Sequence, residues 1–562
     1  MDNLLTRLDK LVTGTLAEWD HLSTALFFLS ISSLIYFIIN TRDPDIHPLL
    51  LERQSQASRV RQEGKSSIFR SLSVPHDTPL NSGLNIRKPG YSKWINGHDG
   101  DLRDIWLRAI AGAQNREGVE TGAIGKILTI EGIEHVKEHD LGDITRQLNL
   151  IGQYLKNREL DRVAIYLPNS VEFLATFFAC AFQNLTTILL QYDLPPQEIL
   201  SRIKQSKADT VIAAAGSFPT SLILKDYSTL KQLILVVDEG SRHIDWNDVQ
   251  AETGDSVNVT AWHEIIQDQE PAAGKDLPTI DKSVKLKNII AFVASEMVEY
   301  TNANVIAGIA GQLTSIPATQ IFTPSDLFLP IDCLSSLYPL TLTLSALYSN
   351  ASIALTGVAS HSPSISLAVH GISPTVIVAS SHTMFKFYEE TKRKLSSPLF
   401  RLNYLLETRD LISNGVMPVA SVFSSIFDRW RPTIGITPGK LRLIYISTLA
   451  GYENPITVSI LSDLRILTRS RIIHALTAPK VAGAVAQTGV YDYRISHNSS
   501  KTHFGPPVSS VEIFFQDKDD FKNKDGLAMG ELIVAGPAVV GEKASTGVIG
   551  MMNDDNTLSL IS

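Results

Sequence analysis

The sequence predicts an α/β protein in which helices cover parallel sheets, with a smaller β-rich part near its C-terminal end. Three observations carry that class. Short β-branched runs alternate with helix-periodic segments between residues 162 and 238, and the alternation returns between 350 and 394. Beyond Gly505 the pattern changes to paired strands around a polar turn. No repeat of fixed period runs through the chain, which argues against solenoids and propellers.

Composition sets the outer bounds. The 562 residues are 44% apolar and 19% charged, unlike a disordered or fibrous chain. Fifty lysines and arginines face 58 aspartates and glutamates, a net charge of -8 that argues against a nucleic-acid partner. Two cysteines, Cys180 and Cys333, exclude a disulfide framework and a four-cysteine zinc site.

The first element is an uncharged run, Leu22 to Ile39. As a helix it would reach about 27 Å, close to the ~30 Å hydrocarbon core, so a transmembrane anchor is expected over 21–40. Residues 1–20 would then be a short lumenal tail. Arg42, Arg53, Arg59 and Arg61 follow the run, against Arg7 and Lys10 before it, which expects the bulk on the cytosolic side. The endoplasmic reticulum is the expected location and the mitochondrial outer membrane the alternative. Asn184, Asn258, Asn350 and Asn498 stand in N-x-[ST] sequons and provide a test of side.

Residues 41–105, rich in Pro and Gly, read as a juxtamembrane arm with little core of its own. Folded structure is expected from Trp106, with an α/β domain over 106–502. Its strands are expected at 162–167, 187–190, 209–214, 233–238, 350–355 and 375–379, and its helices at 171–183, 200–207, 365–369 and 385–394. The uncharged stretch Cys333–Leu355 reads as a buried core helix, since Pro339 and Asn350 interrupt it. Over 503–562, VEIFF and GELIV flank a polar turn and read as a hairpin in a β-rich subdomain.

Together these segments resemble the adenylate-forming, AMP-binding superfamily, and in particular long-chain acyl-CoA synthetases. VAIYLPNSVEFLATFFACAFQN (163–184), ANVIAGIAGQL (303–313), the stretch 328–355, SPTVIVASSHTMFKFYEETK (373–392), LRLIYIS (441–447) and the stretch 503–542 are collinear with that family's units. The resemblance implies an adenylate-forming large domain. It also implies two-step chemistry, in which a carboxylate attacks ATP to give an acyl-adenylate and coenzyme A then displaces AMP. A phosphate cradle, Mg2+ and a lysine would stabilise the leaving pyrophosphate.

Measured against that family, the chain departs at several positions. Where the family has a glycine-rich phosphate loop, Phe292 to Thr301 carries Ser295 between Ala294 and Glu296, with no glycine and with Glu296 and Glu299 in place to repel a triphosphate. The adenine and magnesium motif matches His474-Ala475-Leu476-Thr477-Ala478, where Thr477 is kept and alanine stands at the carboxylate position. No ribose-binding aspartate motif follows Gly541, the C-terminal lid domain is not expected, and Cys333 stands where the family has histidine. Ser295 and Thr477 therefore read as vestigial nucleotide-site positions. No catalytic residue and no metal ligand is assigned, and ATP and Mg2+ enter only under an active-ligase reading.

Other constellations read blandly. The acidic run 517–526 fails the calcium-loop register and reads as a solvated turn. Cys333 reads as a buried thiol, and no G-x-S-x-G elbow is present. Three functions stay open: a membrane-anchored pseudoenzyme that binds fatty acid, acyl-CoA or another lipid; an ATP-dependent long-chain fatty-acid–CoA ligase with divergent motifs; and a scaffold for protein partners.

Overall fold

Runs of Val, Ile and Leu bounded by polar turns become strands because branched side chains pack well on a pleated, buried surface. In the computed structural model such runs build the centre of the protein. It describes residues 20–40, 42–87, 96–114, 121–131, 135–237, 257–281, 284–357, 364–393, 398–419, 434–494, 502–523 and 527–561, besides a few isolated positions. Most of the tail over 1–20 and the sequon at Asn498 lie outside these residues. The chain divides into two units, Met1–Asp45 and Ile46–Ser562.

The first unit contains a helix, His21–Asn40, whose start is capped by Asp20 accepting from the Ser23 N–H at 2.7 Å. Among the described residues no helix is long and apolar enough to cross a membrane, which corrects the transmembrane anchor expected over 21–40. Within the helix Ser23, Thr24, Ser30 and Ser32 interrupt its apolar residues. The single-pass placement, and the organelle assignments resting on it, are withdrawn with the anchor.

In the second unit the described residues form three sheets. One has seven strands. From edge to edge they are Glu296–Tyr300, Ile289–Val293, Thr186–Leu189, Arg162–Tyr166, Thr210–Ala214, Gln232–Val236 and Asn258–Ala261. All neighbours are parallel except the first pair. The helices Val171–Gln183 and Pro196–Ser206 link successive strands, as parallel pairing requires. The expected strand positions hold to within a residue or two.

A second sheet has eight strands: Ala486–Gln487, Arg471–Thr477, Leu443–Leu449, Val376–Ser380, Leu327–Pro330, Ser352–Thr356, Ile127–Glu131 and His135–His139. Its interior is parallel. Leu337–Tyr348 is the expected buried helix, every residue from Leu337 to Leu347 being buried. Just after it, buried Asn350 donates from Nδ2 to the Arg108 and Ala109 carbonyls at 3.3 and 2.9 Å. Asn184 takes a left-handed cap with φ 55° and accepts from the Lys287 N–H at 2.8 Å. These two sequon asparagines thus serve the fold.

The third sheet is antiparallel and joins distant parts of the chain. Glu512–Gln516 and Met529–Ala535 form the expected hairpin, followed by Lys543–Met552 and Leu558–Leu560. On its other side lie Phe69–Ser71 and Ser55–Ala57. The arm read over 41–105 therefore supplies two strands and a buried Phe69. Regular structure also starts before Trp106, in the helix Leu102–Ala111, because Asp101 and Asp104 form a reciprocal capping box.

Candidate functional site

Parallel strands end together, and the helices that follow them begin there, so carboxyl ends of strands make natural clefts. Here both mainly parallel sheets contribute to a cavity of about 850 Å3. Phe292 and Val293 end one strand of the seven-stranded sheet. Ser380, Leu449 and Thr477 end strands of the eight-stranded one. The size falls within the range of small-molecule sites, roughly 300–1,000 Å3.

One rim is the hairpin at the position where the resemblance expects a phosphate loop. Val293 pairs with Glu296, leaving a two-residue turn of Ala294 and Ser295. Such turns favour glycine or asparagine, yet Ala294 sits at φ 52°. Its carbonyl accepts from Arg202 Nη2 at 3.0 Å, and the Arg202 guanidinium lies over the Phe292 ring. Glu296 pairs with Lys480 at 3.0 Å, both side chains being exposed. The buried Tyr300 hydroxyl donates to the Pro479 carbonyl. The helix that follows, Asn302–Ser315, has its first turn closed by its own residues, Thr301 and Asn304 capping each other. Asn304 Nδ2 reaches on to the Pro537 and Val539 carbonyls at 2.8 and 2.9 Å.

The two nucleotide-site positions part company in space. Thr477 is buried in the cavity wall and donates from Oγ1 to the Thr448 carbonyl at 3.2 Å, with Ala478 beside it. Ser295 is exposed on the turn and is not among the lining residues, although its neighbour Ala294 is.

Asp332, just past the Leu327–Pro330 strand, is a wall residue for which the sequence holds no motif. Its Oδ1 accepts from Thr383 Oγ1 at 3.0 Å and Ser380 Oγ at 3.4 Å. Its Oδ2 is buried and has no hydrogen-bond partner among the described residues. Burial pushes the carboxyl up to about 6, and the Glu453 charge adds to the rise. Glu453, on the same wall, accepts from the Leu449 N–H at 2.8 Å and is itself raised by burial. Tyr338 also lines the cavity, only 4% exposed, its hydroxyl likewise unpartnered. No lysine or arginine is among the described lining residues.

The hydroxyls behind this wall are committed to structure. Thr448 Oγ1 lies 2.8 Å from His474 Nε2 and bonds Ser381 Oγ, which donates to the Ser447 carbonyl at 2.8 Å. With Ser381 donating to a carbonyl, the chain runs from a protonated Nε2 outward, so Ser381 has no base to take its proton. Burial holds His474 down to about 3, a neutral imidazole. Cys333 is buried on the cavity wall and accepts from Ser335 Oγ at 3.1 Å. Cys180 is pushed up to about 12 by burial.

Comparison with known proteins agrees with this architecture. Residues 138–280 match the family model described as AMP-binding enzyme. The chain is 23% identical over 482 residues to the Saccharomyces cerevisiae protein YHR045W, covering 80% of this chain and 77% of that one. Its fold is similar to the anthranilate CoA ligase AuaEII in complex with anthranoyl-AMP, at 13% identity and a TM-score of 0.57, covering 82% of this chain and 77% of that one. It is also similar to the inhibitor-bound N-terminal domain of FACL13 from Mycobacterium tuberculosis, with 13% identity and a TM-score of 0.56 over 82% and 99% of the two chains. The fold is thus that of the adenylate-forming acyl- and aryl-CoA ligases. The family match over residues 138–280 and this fold together support a relationship to the AMP-binding superfamily.

Proposed function

We propose that this protein uses the adenylate-forming fold to bind an apolar acyl or other lipid ligand and does not carry out ATP-dependent ligation. One observation carries the reading: the position of the phosphate cradle holds a tight, glycine-free hairpin whose Glu296 is paired with Lys480. Three further facts support it. Lysine and arginine are missing from the lining residues, Ala478 offers no oxygen to a hard cation, and Asp332 and Glu453 oppose a polyanion. The residues present therefore do not fit a magnesium–triphosphate, and no catalytic step is derived through one. Phe292, Leu337 and Ile460 in the wall supply apolar surface for a chain-like ligand.

The test is direct. Purified protein given ATP, Mg2+, a long-chain fatty acid and coenzyme A should release neither AMP nor pyrophosphate, and ATP should give no heat of binding in a titration. Protein-dependent AMP release that disappears in Thr477→Ala would replace this reading with a working ligase of altered motifs.

A further inference from the structure

The cavity's polar wall has a direction. Asp332 and Glu453 are acceptors, and one buried Asp332 oxygen has nothing to accept from among the described residues. Tyr338 adds an unpartnered hydroxyl on the same wall, more than nine-tenths buried and able to donate or accept. An unmet buried acceptor is costly, and a ligand that donates to it recovers that cost. The opposite choice finds little support. A carboxylate or phosphate head would meet two carboxylates and no lysine or arginine from the lining.

Three helices start at or beside this wall, at Leu337, Ser381 and Val458, and a helix start favours negative charge. At the Ser381 helix that preference is already met by the protein's own anion. Ser380, the cap of the Ser381–Thr391 helix, accepts from the Thr383 N–H at 3.3 Å and donates to Asp332 Oδ1. Asp332 thus occupies the place at this helix start that an anionic ligand would take.

From this arrangement we infer that the cavity takes an amphiphile with an ammonium head, seated at the Asp332 carboxylate with Glu453 beside it and its alkyl chain against Phe292, Leu337 and Ile460. The inference rests on the reading that this cavity binds an apolar ligand, and it fixes the chemistry of the head. Such a head brings three donors, the number an acceptor-rich wall can use, and no like charge.

Decylamine, decanol and decanoate, matched in chain length and used below their micelle thresholds, separate the possibilities on the full chain near neutral pH. Decylamine should bind about tenfold or more tightly than decanoate, with decanol between them. Asp332→Asn should cost decylamine about tenfold while decanol binding changes little, which also shows that the variant is folded. Glu453→Gln should act in the same direction and more weakly. Decanoate binding as tightly as decylamine, or an Asp332→Asn variant that leaves their ratio unchanged, overturns the inference alone. If none of the three binds, the underlying ligand-binding reading fails and takes this one with it.

Discussion

Lys480 Nζ lies 3.0 Å from Glu296 Oε1, joining the turn after Val293 to the loop that follows Thr477. A cation three residues after Thr477 is thereby engaged by a carboxylate of the hairpin at the position where the resemblance expects a phosphate loop. Both side chains are exposed, so the pair itself contributes at most about 1 kcal/mol. Glu296→Gln should shift the urea midpoint little, and on the proposed reading titration calorimetry should show no gain of ATP binding.

Ala294 sits at φ 52° in a two-residue turn, a conformation that costs an alanine about 1 kcal/mol relative to glycine. Ala294→Gly should therefore raise stability by about that amount, read as a higher denaturant midpoint at unchanged slope.

Gly308 lies in the helix after the hairpin, where an added Cβ would come 2.0 Å from the Ala482 carbonyl oxygen. Main chain cannot yield as a side-chain tip can. Gly308→Ala should cost about 1–3 kcal/mol despite alanine's better helix propensity, measured by thermal unfolding.

His474 is neutral in the fold down to about pH 3 but takes its proton near the ordinary 6.5 when unfolded. Between those values the unfolded chain binds more protons, so this contribution is complete above pH 6.5 and is lost as pH falls toward 3. The slope is about 1.4 kcal/mol per pH unit. Relative to wild type, His474→Gln should show a flatter loss of stability from pH 6.5 to 4 in urea titrations.

Asp332 has the opposite sign. Its folded carboxyl, raised to about 6 from 3.8, holds its proton longer than the unfolded chain does. Stability is therefore lost as pH rises through 4 to 6, and the cost persists above that range. Asp332→Asn should gain about 1–3 kcal/mol at neutral pH relative to its effect near pH 4. Denaturant midpoints at the two pH values give the comparison.

Strands were legible because their determinant is local: RVAIY and LILVV carry their β-branched pattern wherever they lie. Thr477 was legible through a spaced motif and does lie in the cavity wall. Ser295 was named from the same kind of comparison, yet a missing loop cannot say which turn residue faces inward, and the hairpin register exposes it. Asp332 carried no signal. Its partners Ser380 and Thr383 come 48 and 51 residues later, and Glu453 still further on, so only the folded sheet assembles them. The run over 21–40 misleads because an uncharged stretch is not an unbroken apolar one: Ser23, Thr24, Ser30 and Ser32 interrupt it. The arm over 41–105 hid its strands because each is only three residues long, too short to show alternation.

Those two short strands have a consequence for how the protein is made. Phe69 pairs with Ile513, Gln54 Nε2 donates to Asp492 at 2.7 Å, and Ser55 Oγ donates to the Asn556 carbonyl at 2.8 Å. During synthesis, residues 55–71 emerge from the ribosome long before the segments that will receive them exist. Closing the antiparallel sheet must wait for partners made 438 to 501 residues later, a long-range step during which a sticky edge stays open to chaperones or to another nascent copy.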